Sequence, residues 1–368
     1  MRRLSIVVGA TVSALLLAAC AGGSGGGTPA SSTADVGSPP PASFAPVTVT
    51  LLAHDSFAVS RTVLDDFTAR TGITVRVVTG GDAGEVVNKA VLTAGNPEGD
   101  VLFGVDNTLL SRAVDARLFA PYQAQALGAV RPELAALVPG YAVTPIDYGD
   151  VCVNLDDRWF AAHDVAEPRT LADLTDPRYR GLLVVENPAT SSPGLAFLLA
   201  TIARYGDSGY LDYWKQLRAN GVQVVNGWTE AYEGAFSAGG QGGTKPIVVS
   251  YASSPPAEIV YAKDPKPSKP STSVMTDGCF RQVEFAGVLR GTQHEQAARA
   301  VVDWMLTPAF QADVPLSMFV FPARAGTPLP EVFQKFAATP EQPLTLSPTD
   351  IAKNRQRWVE DWTSAVLR

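Results

Sequence analysis

Histidine and cysteine are scarce, with three of each in 368 residues. His54, His163 and His294 show no ligand spacing with one another or with cysteine, so no zinc site or other metal is implied. No Ser-His-Asp order or phosphate-binding P-loop marks an enzyme, and no cofactor is called for. Internal repeats are absent. After the first nineteen residues no apolar run approaches the ~20 residues that cross a bilayer. Basic charge is also short, with Lys+Arg 29 against Asp+Glu 36 and a formal net charge of -7. That balance argues against nucleic acid or anionic lipid as a partner and is compatible with a cationic ligand.

What is present begins with an export pattern. Arg2 and Arg3 precede an apolar stretch from Leu4 to Ala19, which reads as a signal peptide over residues 1–19. Leu17-Ala18-Ala19-Cys20 resembles a bacterial lipobox, in which small residues before a cysteine allow diacylglycerol to be attached to the thiol. Cys20 is therefore the expected lipidation site, and the protein is expected on the outer side of the cell membrane. Residues 20–45 hold that cysteine and a Gly, Ser, Thr, Pro and Ala linker with too little apolar surface to fold. Such a tether reaches on the order of 25–30 Å.

The roughly 320 residues that follow exceed the size at which one core stops growing, so two domains are expected. Strands at Val47 to Ala53, Ile73 to Val78 and Asp100 to Val105 alternate with helices. The first helix is signalled by Asp55 and Ser56, and the second runs from about Gly84 to Thr93. The pattern recurs as strand Leu182 to Val185, helix Pro193 to Arg204, strand Val222 to Val225, helix Glu230 to Phe236 and strand Ile247 to Tyr251. The expected class is α/β, with two parallel, doubly wound lobes. Lobe one takes residues 46–145 and part of 284–368, and lobe two takes 146–283. The extended stretches following Pro145 and from Cys279 to Ala286 read as crossover strands that act as a hinge. In an exported protein Cys152 and Cys279 form an even pair, read as a disulfide across those strands, with a reactive thiol as the rival.

Ligands of open α/β sheets bind beyond the carboxyl ends of the strands. Five loops stand there: His54 to Phe57, Gly80 to Gly84 around Asp82, Asp106-Asn107, Asn187 to Gly194, and Gly227 to Tyr232. Helix capping competes with ligand contact in each. In the fourth loop, Ser192 as cap and Pro193 at the first helical position would leave Thr190 and Ser191 free to donate. Trp228 and Tyr251, with several carboxylates, describe a pocket for a flat cation.

The chain from about Val47 to Arg368 resembles the thiamine-binding periplasmic proteins of bacterial ABC transporters. The resemblance rests on Asp55-Ser56-Phe57, Gly104-Val105-Asp106-Asn107, Asp147-Tyr148-Gly149, Thr190 to Leu195, Gly227 to Tyr232, Ser250-Tyr251 and Arg355-Gln356-Arg357-Trp358. It implies a type II periplasmic-binding fold, thiamine or a thiamine phosphate as ligand, and ABC permease and ATPase subunits as partners. It further implies that Trp228 and Tyr251 pack on the ligand rings, and that Ser191 and the turn at Asp82 and Ala83 meet its polar end. Asp55, Asp106 and Asp147 would offset the thiazolium charge. His54 stands where the family has a tyrosine, and Phe319 where it has a tryptophan. Two other readings remain: a binder of another small cation such as a polyamine, and a thiaminase-like enzyme that uses Cys152 as nucleophile.

Overall fold

Alternation of small and branched apolar residues puts Val49, Leu51 and Ala53 of β1 (Val47–Ala53) fully inside. Burial on both faces makes β3 (Val101–Asp106) almost continuously apolar. The computed structural model describes residues 43–368. The expectations for residues 1–19, for Cys20 and for most of the linker lie outside the described residues. The other strands are β2 (Ile73–Thr79), β4 (Thr144–Asp156), β5 (Leu183–Glu186), β6 (Gln223–Val225), β7 (Ile247–Tyr251), β8 (Thr272–Val288) and β9 (Phe321–Pro322).

They form one mixed sheet, ordered β2-β1-β3-β8-β4-β7-β5-β6, with β9 beside β4. The expected α/β class holds, and the two parallel flanks prove to be parts of one sheet joined through an antiparallel centre. β1 pairs in parallel with β2 and β3, and β5 with β6 and β7. Through the centre, however, β8 runs antiparallel to β3 and β4, and β4 antiparallel to β7. Alternation of strands and helices reports only the two flanks. The long β4 and β8, both expected as crossovers, join those flanks into one surface.

Two helix boundaries also differ from expectation. The first helix begins at Arg61 after Ser60, not at Asp55, because Asp55 is engaged elsewhere: its Oδ1 accepts from Gly81 N at 3.0 Å and its own N–H donates to Gly81 O at 2.9 Å. No local signal announces that pairing between two loops. The helix Ser192–Ala219 is capped by Ser191, not Ser192, and passes beyond Arg204 through a non-helical Gly206. The C-terminal helix Pro348–Val366 buries Ile351, Trp358, Trp362 and Val366 along one face. Trp362 meets Trp214 edge-on at 5.4 Å, which pins this last helix against the Ser192 helix.

Cys152 and Cys279 are joined by a disulfide, with Cα atoms 4.3 Å apart. Val151 faces Phe280 while Val153 faces Met275, so residues 276–279 bulge out opposite Cys152.

Candidate functional site

The carboxyl ends of β1, β6 and β7, a central stretch of β8 and the loop before β9 converge on a cleft. It encloses about 500 Å³, its solvent-open mouth included, and its lining contains His54, Trp228, Tyr232, Tyr251, Glu284 and Phe319. Only about 60 Å³ of that is room a water-sized molecule can occupy.

Each aromatic wall is held in place. Trp228 stacks on Tyr232 with ring centres 5.0 Å apart and planes 10° from parallel, and its Nε1 donates to Ser250 Oγ at 2.9 Å. Tyr251 donates its hydroxyl to Gln282 Oε1 at 2.6 Å, while a Cβ on Gly149 would come within 2.8 Å of its ring. Glycine at 149 is what lets the ring lie across β4. Phe319 has a left-handed backbone, φ 56, that places its ring 5.4 Å from Tyr261 at the mouth. A side chain other than glycine in that region costs roughly 1–2 kcal/mol.

The floor is a chain of titratable groups. His54 Nε2 lies 3.1 Å from Glu284 Oε1, and its Nδ1 lies 3.2 Å from Ser56 Oγ. Burial alone would discharge the imidazole, but the Glu284 carboxylate, with Asp82 and Asp55 behind it, raises its pKa. Burial likewise works against Glu284, yet the charge of His54 beside it brings its pKa below the ordinary value. Asp147 faces Glu284 across β4 and β8; burial first, then the Glu284 charge, push its carboxyl far up. Asp106 is pushed up to about 7 by burial, against hydrogen bonds from Thr108 and Gln282.

The expected site residues do not all share one role. His54, Trp228, Tyr251 and Phe319 line the cleft. Asp147 stands behind Glu284. Asp106 turns inward, where its Oδ1 accepts from Thr108 N, Thr108 Oγ1 and Leu109 N and its Oδ2 accepts from Gln282 Nε2. Asp82, beside Ala83, reaches across a seam: its carboxylate accepts from Ala83 N at 2.6 Å, Ser192 N at 3.2 Å and Trp228 N at 2.9 Å. Thr190 is not a free donor, since its Oγ1 donates to Asn226 O; Ser191 Oγ accepts from Gly194 N as the helix cap and keeps its own O–H to donate. Asp55 ties the first loop to Gly81.

Sequence reasoning missed Tyr232, Gln282 and Glu284. Tyr232 had a usable signal, four residues after Trp228 and so on the same helical face. Glu284 had one as well, an acid inside the apolar run Val283 to Val288 of a strand expected to be buried.

Residues 96–354 match the family model described as bacterial extracellular solute-binding protein. The chain is 29% identical over 333 residues to the thiamine-binding periplasmic protein of Salmonella typhimurium, covering 89% of this chain and 95% of that one. It is also 29% identical to the thiamine-binding periplasmic protein of Escherichia coli, over 88% and 95% of the two chains. Among solved structures, a periplasmic thiamin binding protein superposes with a TM-score of 0.76 at 27% identity, covering 87% of this chain and 96% of that one.

Proposed function

The chain belongs to the bacterial extracellular solute-binding protein family, and from that premise we propose that it captures thiamine or a thiamine phosphate as the ligand-binding subunit of an ABC importer. The observation that carries this reading is the pairing of aromatic walls with a surplus of buried carboxyls. Trp228, Tyr232, Tyr251 and Phe319 surround the cleft. Glu284 lines the cleft beside His54, and the carboxyls of Asp147, Asp106 and Asp82 stand behind them. A flat ring with a fixed positive charge would gain ~0.5–2 kcal/mol from each aromatic face it meets and would offset the acidic surplus. The names of the relatives in Salmonella and Escherichia favour thiamine over a polyamine.

Capture would close the two flanks of the sheet about β4 and β8, with the Asp82 contacts to Ser192 and Trp228 as part of the closed seam, and a permease would read that closed form. Export through residues 1–19 and a lipid on Cys20 would keep the protein beside its permease. The thiaminase-like reading loses its nucleophile, because the Cys152 sulfur is bonded to Cys279 and only a thiolate attacks. Isothermal titration with thiamine, its monophosphate and its diphosphate, and with spermidine as control, tests the proposal. One-to-one binding of any thiamine form without turnover supports it, and a response to spermidine alone refutes it.

A further inference from the structure

Asp147 is fully buried, and neither of its carboxyl oxygens has a hydrogen-bond donor among the described residues. Glu284 faces it from β8 as its Cα partner, and Pro322 faces it from β9. Around the pair stand His54 beyond β1, Asp82 ahead of the helix Ala83–Leu92, Asp106 at the end of β3 and Tyr251 at the end of β7. His54 brings the one positive charge among them, and it is committed to Glu284 at 3.1 Å. A carboxylate at 147 would be a buried anion beside the Glu284 carboxylate with no partner of its own, which burial strongly disfavours. A proton carried by Asp147 and donated to Glu284 removes that cost, and burial together with the Glu284 charge favours that form.

We propose that Asp147 and Glu284 form a buried proton-binding site that releases its proton when a cation enters the cleft, so that capture is an exchange of charges. The inference rests on the cationic-ligand reading above. Glu284 lines the cleft while Asp147 does not, so an arriving cation meets the Glu284 carboxylate first and draws on its charge. The O–H bond of Asp147 then breaks, the proton passes by way of Glu284 to water at the mouth of the cleft, and the new Asp147 carboxylate is balanced by the bound cation. Charge is conserved, with one proton leaving for each monovalent cation bound.

The exchange is measured on the purified protein by titrating thiamine at one pH in buffers of different ionisation enthalpy, where the slope of observed heat against buffer enthalpy counts protons. The expected slope is close to one proton released for wild type and close to zero for Asp147→Asn, which keeps the shape of the protonated acid and should still bind. Wild-type affinity should rise by up to ~10-fold per pH unit below the pKa of the pair, a dependence Asp147→Asn loses. Infrared difference spectroscopy supplies a readout that does not depend on the variant folding. Wild type without ligand should show the carbonyl band of a buried protonated carboxyl, and thiamine should bleach it. A zero slope in wild type, an unchanged slope in Asp147→Asn, or no such band overturns the exchange while leaving thiamine binding intact. Failure to bind thiamine or spermidine at all overturns the cationic-ligand reading and the exchange with it.

Discussion

Replacing Trp228 by alanine removes the best-fixed wall of the cleft. One face of its indole is covered by Tyr232 at 5.0 Å, and its Nε1 is spent on Ser250. The ring therefore needs no reordering to present its other face to a ligand. A desolvated cation over that face is worth ~2 kcal/mol, and the ring-on-ring contact adds ~1 kcal/mol. Together they make about 3 kcal/mol, roughly a hundredfold in Kd at 1.4 kcal/mol per decade. Trp228→Phe keeps a face but loses the Nε1 bond to Ser250 Oγ, which retains Ser254 Oγ at 3.0 Å, and loosens the ring, for a loss nearer fivefold, the worth of about 1 kcal/mol. Isothermal titration with thiamine reads both variants, and urea unfolding checks that the fold survives. Trp228→Ala within threefold of wild type would refute the claim that this wall holds the ligand.

Gly104 has φ +94, and a Cβ there would come within 2.4 Å of His54 Cδ2. Gly104→Ala should therefore displace His54, weakening ligand binding and costing ~1–2 kcal/mol of stability in urea unfolding. Glu284, with a lowered pKa, contributes stability above its unfolded value that is lost as pH falls through the folded one. His54, with a raised pKa, contributes stability that is complete below its unfolded value and lost as pH rises through the folded one. The stability gap between wild type and His54→Gln should thus be widest between about pH 4.5 and 6.5 and narrow above that window; a gap flat with pH would contradict the ion pair. Cys152 and Cys279 close a loop of sequence separation 127, so reduction or Cys152→Ala should lower stability by ~2–5 kcal/mol, and thiol titration of the oxidised protein should find no free thiol at either position.

The strands were legible in the sequence where their signals are local. β1 and β7 fall on their expected bounds because alternating or β-branched apolar runs end at punctuating residues, Asp55-Ser56 after one and Ser253 to Pro255 after the other. Cys152 and Cys279 were legible as a pair because their strands were. What was not legible depends on partners far along the chain. The capping pattern at Asp55 and Ser56 is genuine, but Gly81 takes Asp55 away from it. Asp82 looks like a helix cap, and is one, yet its carboxylate also spans to Ser192 and Trp228. Asp106, expected at the ligand, turns inward, and Glu284, for which the sequence raised no expectation, lines the cleft. No periodicity shows which face of a doubly buried strand meets a cavity.

The middle of the sheet is assembled from distant parts of the chain, as when Val283 N donates to Asn107 Oδ1 across 176 residues. β3 must wait for β8, and so must β4, which means the central strands cannot close before residue 288 has been made. Contacts of such separation form late and slowly. A nascent chain of this design stays threadable for most of its synthesis, holding two half-built flanks open until one late strand completes both.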